Sequence, residues 1–394
     1  MKVLFLMIAY PYVEKNTSMY TDLTQEFAKQ GHEVFVAVAN GPDRTTLNSE
    51  GGINVLRVNT FELFNESFIK KGFANILLPT QVNKAIKKYF HKLKFDAIIA
   101  PTPPITYLST VKKLKKNLNC KVYLILRDIF PQNARDLEII KNPLIFQYFR
   151  WQEKKLYSLS DYIGCMSHGN ISYIKHHDPE VPQRKLHLLM NWKNVTEYND
   201  PDQSLKKQYC LENKFIALYG GNLGKPQQIE FILELAKETS YLNDVIFMLI
   251  GEGSEKRRII DLVSKNRFAN VVIKDRLPQK QYQELVKICN IGLICLSDRF
   301  TIPNIPSRIL SYWEAKLPVL AAIDKNTDFG NILEQSGSGL WSITGDIDSY
   351  KQNFIKLYHD KELRSLMGEN GYRYLLKNCT TEKAFSIIKE KLMS

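Results

Sequence analysis

Two short stretches combine the residue types and spacing needed to hold a diphosphate. Ile305 to Val319 reads IPSRILSYWEAKLPV. Here Pro306-Ser307 opens an amphipathic helix through Ile309 and Ser311, with Arg308 as a cation in its first turn. Lys316-Leu317-Pro318 stops that helix, and the apolar strand Val319–Ile323 follows. The free N–H groups and dipole of a helix start attract anions. Upstream, Tyr219-Gly220-Gly221-Asn222-Leu223-Gly224 is a glycine-rich turn between a strand and a helix, where backbone can approach a phosphate closely. Read alone, it is as well explained as a plain strand-to-helix turn. Beside Arg308, and with Lys225 next in sequence, the pair reads as a site for the diphosphate of a nucleotide sugar.

Further candidates follow other strands. Gly251-Glu252-Gly253 ends the strand Val245–Ile250, and either turns the chain or meets the ligand. Arg276-Leu277, after Val271–Ile273, could offer backbone groups to a base edge, and Arg299 is one more cation for phosphate charge. Asp324-Lys325-Asn326-Thr327-Asp328-Phe329-Gly330 carries the amide, hydroxyl and carboxylate groups that bind sugar hydroxyls, or else caps the next helix. In the first half, Arg127-Asp128 follows the strand Val122–Leu126, as a reaction-centre wall or a structural ion pair. His168 follows Tyr162–Met166. Asp346-Ile347-Asp348 imitates an acidic metal motif but sits where a helix cap is expected, so no metal is assigned.

Around these residues the pattern is strand, helix, strand, helix, twice over. Short apolar runs alternating with amphipathic helices indicate parallel sheets covered on both faces. At 394 residues the chain exceeds one ordinary core. The expected architecture is α/β: an N-terminal doubly wound domain over 1–190, a C-terminal one over 191–370, and a helical segment 371–394 that crosses back to the first. Ligands of such folds bind at the carboxyl ends of the strands, here in a central cleft faced by both domains.

Composition narrows the class. A hydrophobic share of 44% and a charged share of 24% are those of a soluble globular protein. No apolar run approaches the ~20 residues of a membrane-spanning helix, and the start reads as a strand without a signal-peptide cleavage site. Six cysteines without pairing or metal spacing fit a reducing cytoplasm. The net charge of +13 is concentrated in 1–190, which holds 26 Lys and Arg against 16 Asp and Glu. Such a basic half implies an anionic partner. With no nucleic-acid module present, the implied partner is a phospholipid surface rather than nucleic acid. The aromatic, basic stretch Phe61, Phe64, Phe68, Ile69, Lys70, Lys71, Phe73, Ile76 and Leu77, ahead of Pro79, reads as an interfacial element or a core helix.

Gly31-His32-Glu33-Val34, Arg127 to Pro131, Gly221 to Gly224, Ile250 to Gly253 and Pro306 to Val319 occur in an order and spacing that resembles GT-B glycosyltransferases of family 4. The chain is most similar to the bacterial capsule and O-antigen branch that transfers N-acetyl-L-fucosamine. Trp313, Pro318 to Ala322 and Asn326 to Gly330 carry that finer likeness. There are departures. The family's paired glutamates correspond to Pro303 and Ser311, leaving Glu314, one turn beyond Ser311, as the carboxylate that could replace the second. The family's diphosphate-binding Arg and Lys correspond to Asn222 and Gln227.

The resemblance implies a retaining, metal-independent transfer without cofactor, at the inner face of the plasma membrane, from a UDP-sugar to a polyprenyl-diphosphate-linked saccharide. In it, Arg127, Asp128 and Glu314 take the catalytic places. Gly221 to Lys225, Gly251, Gly253, Arg276, Leu277, Arg299, Ser307 to Ile309, Ser311 and Asn326 to Phe329 hold the donor. A GT-B sugar-nucleotide epimerase and a non-catalytic assembly scaffold are the alternatives. A dinucleotide dehydrogenase is disfavoured, because no G-x-G-x-x-G follows the first strand.

Overall fold

Runs such as Val3–Met7 and Phe215–Gly220 are apolar without alternation, and in the computed structural model they lie buried on both faces of parallel sheets. The structure describes residues 1–14, 16–63 and 68–394. The chain forms two units, one of 1–194 with 380–394 and one of 195–379.

In the first unit the strands are β1 (Lys2–Met7), β2 (Glu33–Ala39), β3 (Thr46–Glu50), β4 (Ile53–Val58), β5 (Ala97–Thr102), β6 (Lys121–Leu126), β7 (Tyr162–Cys165) and β8 (Leu186–Leu188). Their order is β3-β4-β2-β1-β5-β6-β7-β8, with β3 antiparallel to β4 and every other pair parallel. The second unit holds β9 (Phe215–Gly220), β10 (Val245–Ile250), β11 (Val271–Lys274), β12 (Ile291–Cys295), β13 (Val319–Ile323) and β14 (Gly339–Ile343), all parallel, in the order β11-β10-β9-β12-β13-β14. Each is a doubly wound sheet, as the sequence predicts. Strand order reverses between β1 and β5 in one sheet and between β9 and β12 in the other, the switch points where such folds take ligands.

Three strands escape the sequence reading. β3 is polar and exposed along most of its length, β8 has three residues, and β14 opens on Gly339, whose added Cβ would lie 2.2 Å from the Val319 carbonyl oxygen. Helices differ at prolines. The helix expected to start at Gln81 runs from Phe68 to Tyr89 straight through Pro79. A proline removes one hydrogen bond and kinks a helix. Here Ala74, Leu78, Val82, Ala85 and Ile86 form a buried stripe that holds both halves against the sheet. Pro143 starts the helix Pro143–Leu159 instead of interrupting one, because Asn142 caps it by accepting from Leu144 N–H at 2.8 Å.

The C-terminal boundary also differs. Residues 371–378 complete the helix Lys361–Asn378 of the second unit. The segment that joins the first unit is the helix Thr381–Met393, which seats Phe385 edge-on against Phe27 with ring centroids 4.7 Å apart.

Candidate active site

In the second unit the loops after β9 and β12 flank the switch point. The β9 loop stays open because glycines let it lie directly on its neighbour. A Cβ on Gly251 (φ +157°) would fall 1.7 Å from the Gly221 carbonyl oxygen, and one on Gly253 would fall 2.2 Å from that of Leu223. Backbone bonds seal the contact: Gly221 N–H to Ile250 at 2.9 Å, Leu223 N–H to Glu252 at 2.8 Å, and Glu255 N–H to Leu223 at 2.9 Å. Gly251 and Gly253 thus act as a base for the Gly221–Gly224 loop. Leu223 is its fully buried anchor, while Gly221 and Asn222 are exposed.

Arg308 arrives from the β12 side. Its guanidinium lies 4.3 Å from the Tyr219 ring centroid and against the open face of Gly221, where a Cβ would come within 3.4 Å of it. Burial opposes its charge, and the groups acting on it are the phenols of Tyr219, Tyr312 and Tyr282. Tyr312 is fixed by accepting from Gly220 N–H at 3.1 Å, with the Leu218 and Leu293 carbonyls each 3.2 Å from its hydroxyl. The Arg308 Nη1 is buried and has no hydrogen-bond partner, and among the described residues no carboxylate pairs with the side chain. A desolvated cation without a counterion is costly, so the arrangement fits an anion placed against Gly221.

The sequence reading credits the helix start with much of that attraction. The structure corrects this, since the helix spans only Ile309–Glu314, with Arg308 at its cap position and no side-chain cap. Six residues align few peptide dipoles, so the fixed guanidinium is the principal charge. Ser307 is exposed, Ile309 is buried in the core, and the cations Lys225 and Arg299 are exposed. Asn222 and Gln227, where the family's cations are expected, pair their side-chain amides at 3.0 Å.

Other predicted contacts are committed elsewhere. Asp324 accepts from the N–H groups of Asn326 and Thr327 at 2.8 and 2.9 Å. The Asn326 amide donates to the Phe300 carbonyl, and the Thr327 hydroxyl donates to that of Asn304 at 2.8 Å. These side chains, read from sequence as sugar contacts, instead fasten the loop that delivers Arg308. Asp328 is half-buried ahead of the next helix, and Phe329 is core. Arg276 is exposed and Leu277 half-buried, both beyond β11, the edge strand of this sheet.

Glu314 is also turned away from the catalytic place given to it. It is buried, accepts from Thr196 N–H at 3.3 Å, and shares with Ser311 the lining of a cavity of about 40 Å³, far too small for a sugar. The reason is helical geometry: Glu314 shares the Ser311 face, six residues away from Arg308.

In the first unit Arg127 and Asp128 stand at the carboxyl end of β6. Arg127 Nη1 donates to Asn191 Oδ1, and Asp128 N–H reaches the Thr102 carbonyl at 3.3 Å. Burial raises the Asp128 carboxyl above its ordinary value, while Arg127 pulls it back. Tyr20, itself raised by burial, feels both charges and sits edge-on to Trp192. His168 is exposed on the first turn of a helix capped by Ser167, and Asp346 caps the helix Ile347–His359 by accepting from Ser349 N–H at 3.0 Å.

Sequence reasoning missed Tyr219, Tyr312 and Tyr282 around the cation, and Asn191 and Tyr20 around the Arg-Asp pair. Tyr312 had a signal, lying four residues from Arg308. Asn191 and Tyr282 had none.

The comparisons agree with this geometry. The family model described as Glycosyltransferase Family 4 matches 18–194, and that described as Glycosyl transferases group 1 matches 202–374. The chain is 24% identical over 254 residues to the probable glycosyltransferase WbjE of Pseudomonas aeruginosa, covering 62% of this chain and 61% of that protein. It is 23% identical over 319 residues to the putative colanic acid biosynthesis glycosyl transferase WcaI of Escherichia coli K12, covering 74% and 75%. For two further curated relatives it spans 65% and 58% of their length, so it spans about three fifths of most of them. Among solved structures it is similar to HepE of Anabaena in complex with UDP-glucose, with a TM-score of 0.73, 14% identity, and 100% and 99% of the two chains covered. With two doubly wound sheets and these two matches end to end, the chain has the GT-B fold and is built from a family 4 and a group 1 glycosyltransferase domain.

Proposed function

We propose that this protein transfers an amino sugar, N-acetyl-L-fucosamine or a relative, from a UDP-sugar to a polyprenyl-diphosphate-linked saccharide in capsule or O-antigen synthesis. One observation carries the donor half of the reading: the buried, unpaired Arg308 Nη1 facing Gly221 at the switch point of the second sheet. HepE, a structural neighbour, was solved with UDP-glucose, and the likeness to WcaI supports a polysaccharide context.

In the proposed reaction an acceptor hydroxyl oxygen bonds to the anomeric carbon as the bond from that carbon to the diphosphate oxygen breaks. The electron pair passes to the diphosphate, whose oxygen takes the hydroxyl proton, and configuration is retained. Arg308 stabilises the charge that grows on the leaving group, with Lys225 and Arg299 as outer cations; such preorganised electrostatics is commonly the largest catalytic contribution. Asp128 holds a hydroxyl of the sugar or acceptor. Calorimetry with UDP, then turnover with UDP-, dTDP- and GDP-sugars, tests this. Absence of heat with UDP would remove the donor assignment, and a preference for GDP- or dTDP-sugars would replace the nucleotide.

A further inference from the structure

The helix Pro143–Leu159 of the first unit is amphipathic the wrong way round. Its inward side carries ions and a phenol: Arg150 pairs with Glu153 and, at 2.7 Å, with Asp178, and Tyr157 donates to Glu153 at 2.6 Å. Its outward side, at positions 144, 148, 151 and 155, presents Leu144 (78% exposed), Tyr148 (47%), Trp151 (54%) and Lys155. Water-facing helices reverse that distribution, and a contiguous exposed apolar patch marks an interaction surface.

The patch continues onto neighbouring helices. Ile76 and Pro79, with Leu108 and Leu159, floor a groove of about 520 Å³ over which Tyr148 and Trp151 stand. Phe73 is 58% exposed one turn away. The lining includes Lys112 and Lys155 and no acidic residue. Residues 61–160 hold 18 lysines and arginines against seven acidic residues. Phe64, Phe68, Ile69 and Lys71 of the stretch read from sequence as interfacial lie outside the described side chains. The surface named here stands on other residues.

We propose that this face docks on an anionic phospholipid leaflet, with Leu144, Tyr148 and Trp151 entering the headgroup–acyl boundary, lipid chains lying in the groove, and Lys112 and Lys155 meeting phosphates. Aromatic side chains with flanking lysines suit that boundary, because their apolar bodies and polar tips match its two sides, and lysines near an anionic leaflet add electrostatic attraction. The charge excess chooses a lipid surface over a second copy of this equally basic chain. The inference deepens the lipid-linked acceptor reading by naming the surface that meets the membrane, and it does not depend on the identity of the donor.

The test is co-sedimentation of the full chain with phosphatidylcholine vesicles, with and without phosphatidylglycerol, at low and high salt. The wild type should partition at least tenfold better onto the anionic vesicles, lose most of that at high salt, and show a blue shift in tryptophan emission. Tyr148→Ala with Trp151→Ala should lose at least tenfold in partitioning, and Lys112→Glu with Lys155→Glu should lose the anionic preference. Both should keep native circular dichroism and UDP binding, so a failure of docking is separable from a failure of the donor site. A wild type that ignores both vesicle types, variants that bind as it does, or an emission shift produced by self-association alone would overturn the proposal.

Discussion

Arg308 lies 4.3 Å over the ring of Tyr219 with its Nη1 buried and unpartnered. Tyr219 is the penultimate residue of β9, so a strand end and the β12 loop jointly aim a cation across Gly221. Arg308→Ala should weaken UDP binding and kcat/KM by tenfold or more, about 1.4 kcal/mol per decade. Arg308→Lys should recover part of this, since a lysine lacks the flat face that stacks on the phenol. Unchanged UDP heat in the alanine variant would remove the residue from the site.

Gly251→Ala should be strongly destabilising, because its Cβ would collide with backbone, the Gly221 carbonyl 1.7 Å away, at a φ of +157°. A loss of about 3 kcal/mol or more is expected, together with loss of UDP binding as the β9 loop moves. Gly72→Ala is the contrast: it is helical and meets nothing within 4 Å. It should gain about 0.5–1 kcal/mol. Thermal unfolding midpoints of the two variants check the pair.

His187 should make the first unit acid-sensitive. Burial lowers its pKa from 6.5 to about 4, beside the Tyr123 hydroxyl 2.6 Å away. Below pH 6.5 the unfolded chain takes up a proton that the folded chain refuses. The stabilising contribution is therefore complete above 6.5 and is lost as pH falls toward 4, by roughly 1–3 kcal/mol. Denaturant unfolding between pH 4 and 7 should show that slope, and His187→Asn should flatten it.

Asp128→Asn should leave UDP binding intact while lowering turnover at least tenfold, on the scale of about 1.4 kcal/mol. Because burial raises the Asp128 carboxyl, the acidic limb of the wild-type kcat/KM profile should lie above the ordinary carboxylate range. Activity falls as pH drops through that limb, when the carboxylate is protonated. A limb unmoved in the asparagine variant would assign the titration to another group.

Most of the fold was legible in the chain because burial on both faces leaves an unbroken apolar run, as in β1, β6, β9, β10 and β13. Where that signal was weak the reading failed. β3 is polar, β14 opens on a glycine, and Pro79 sits inside a helix whose continuity comes from packing rather than local preference.

For the site, residue type and position between strand and helix were enough to single out Gly221–Gly224, Arg308 and the Arg127-Asp128 pair. Sequence could not say which polar groups were already occupied. Asn326, Thr327 and Glu314 carry the right chemistry for a sugar, yet they spend it on the backbone of Phe300, Asn304 and Thr196. Tyr282 and Asn191 reach their partners from distant segments. Sequence by itself determined the order of elements and the cation between them, because hydrophobic period and charge are local. Tertiary structure decided which polar side chains were left unsatisfied, because a hydrogen bond is settled only when remote segments meet.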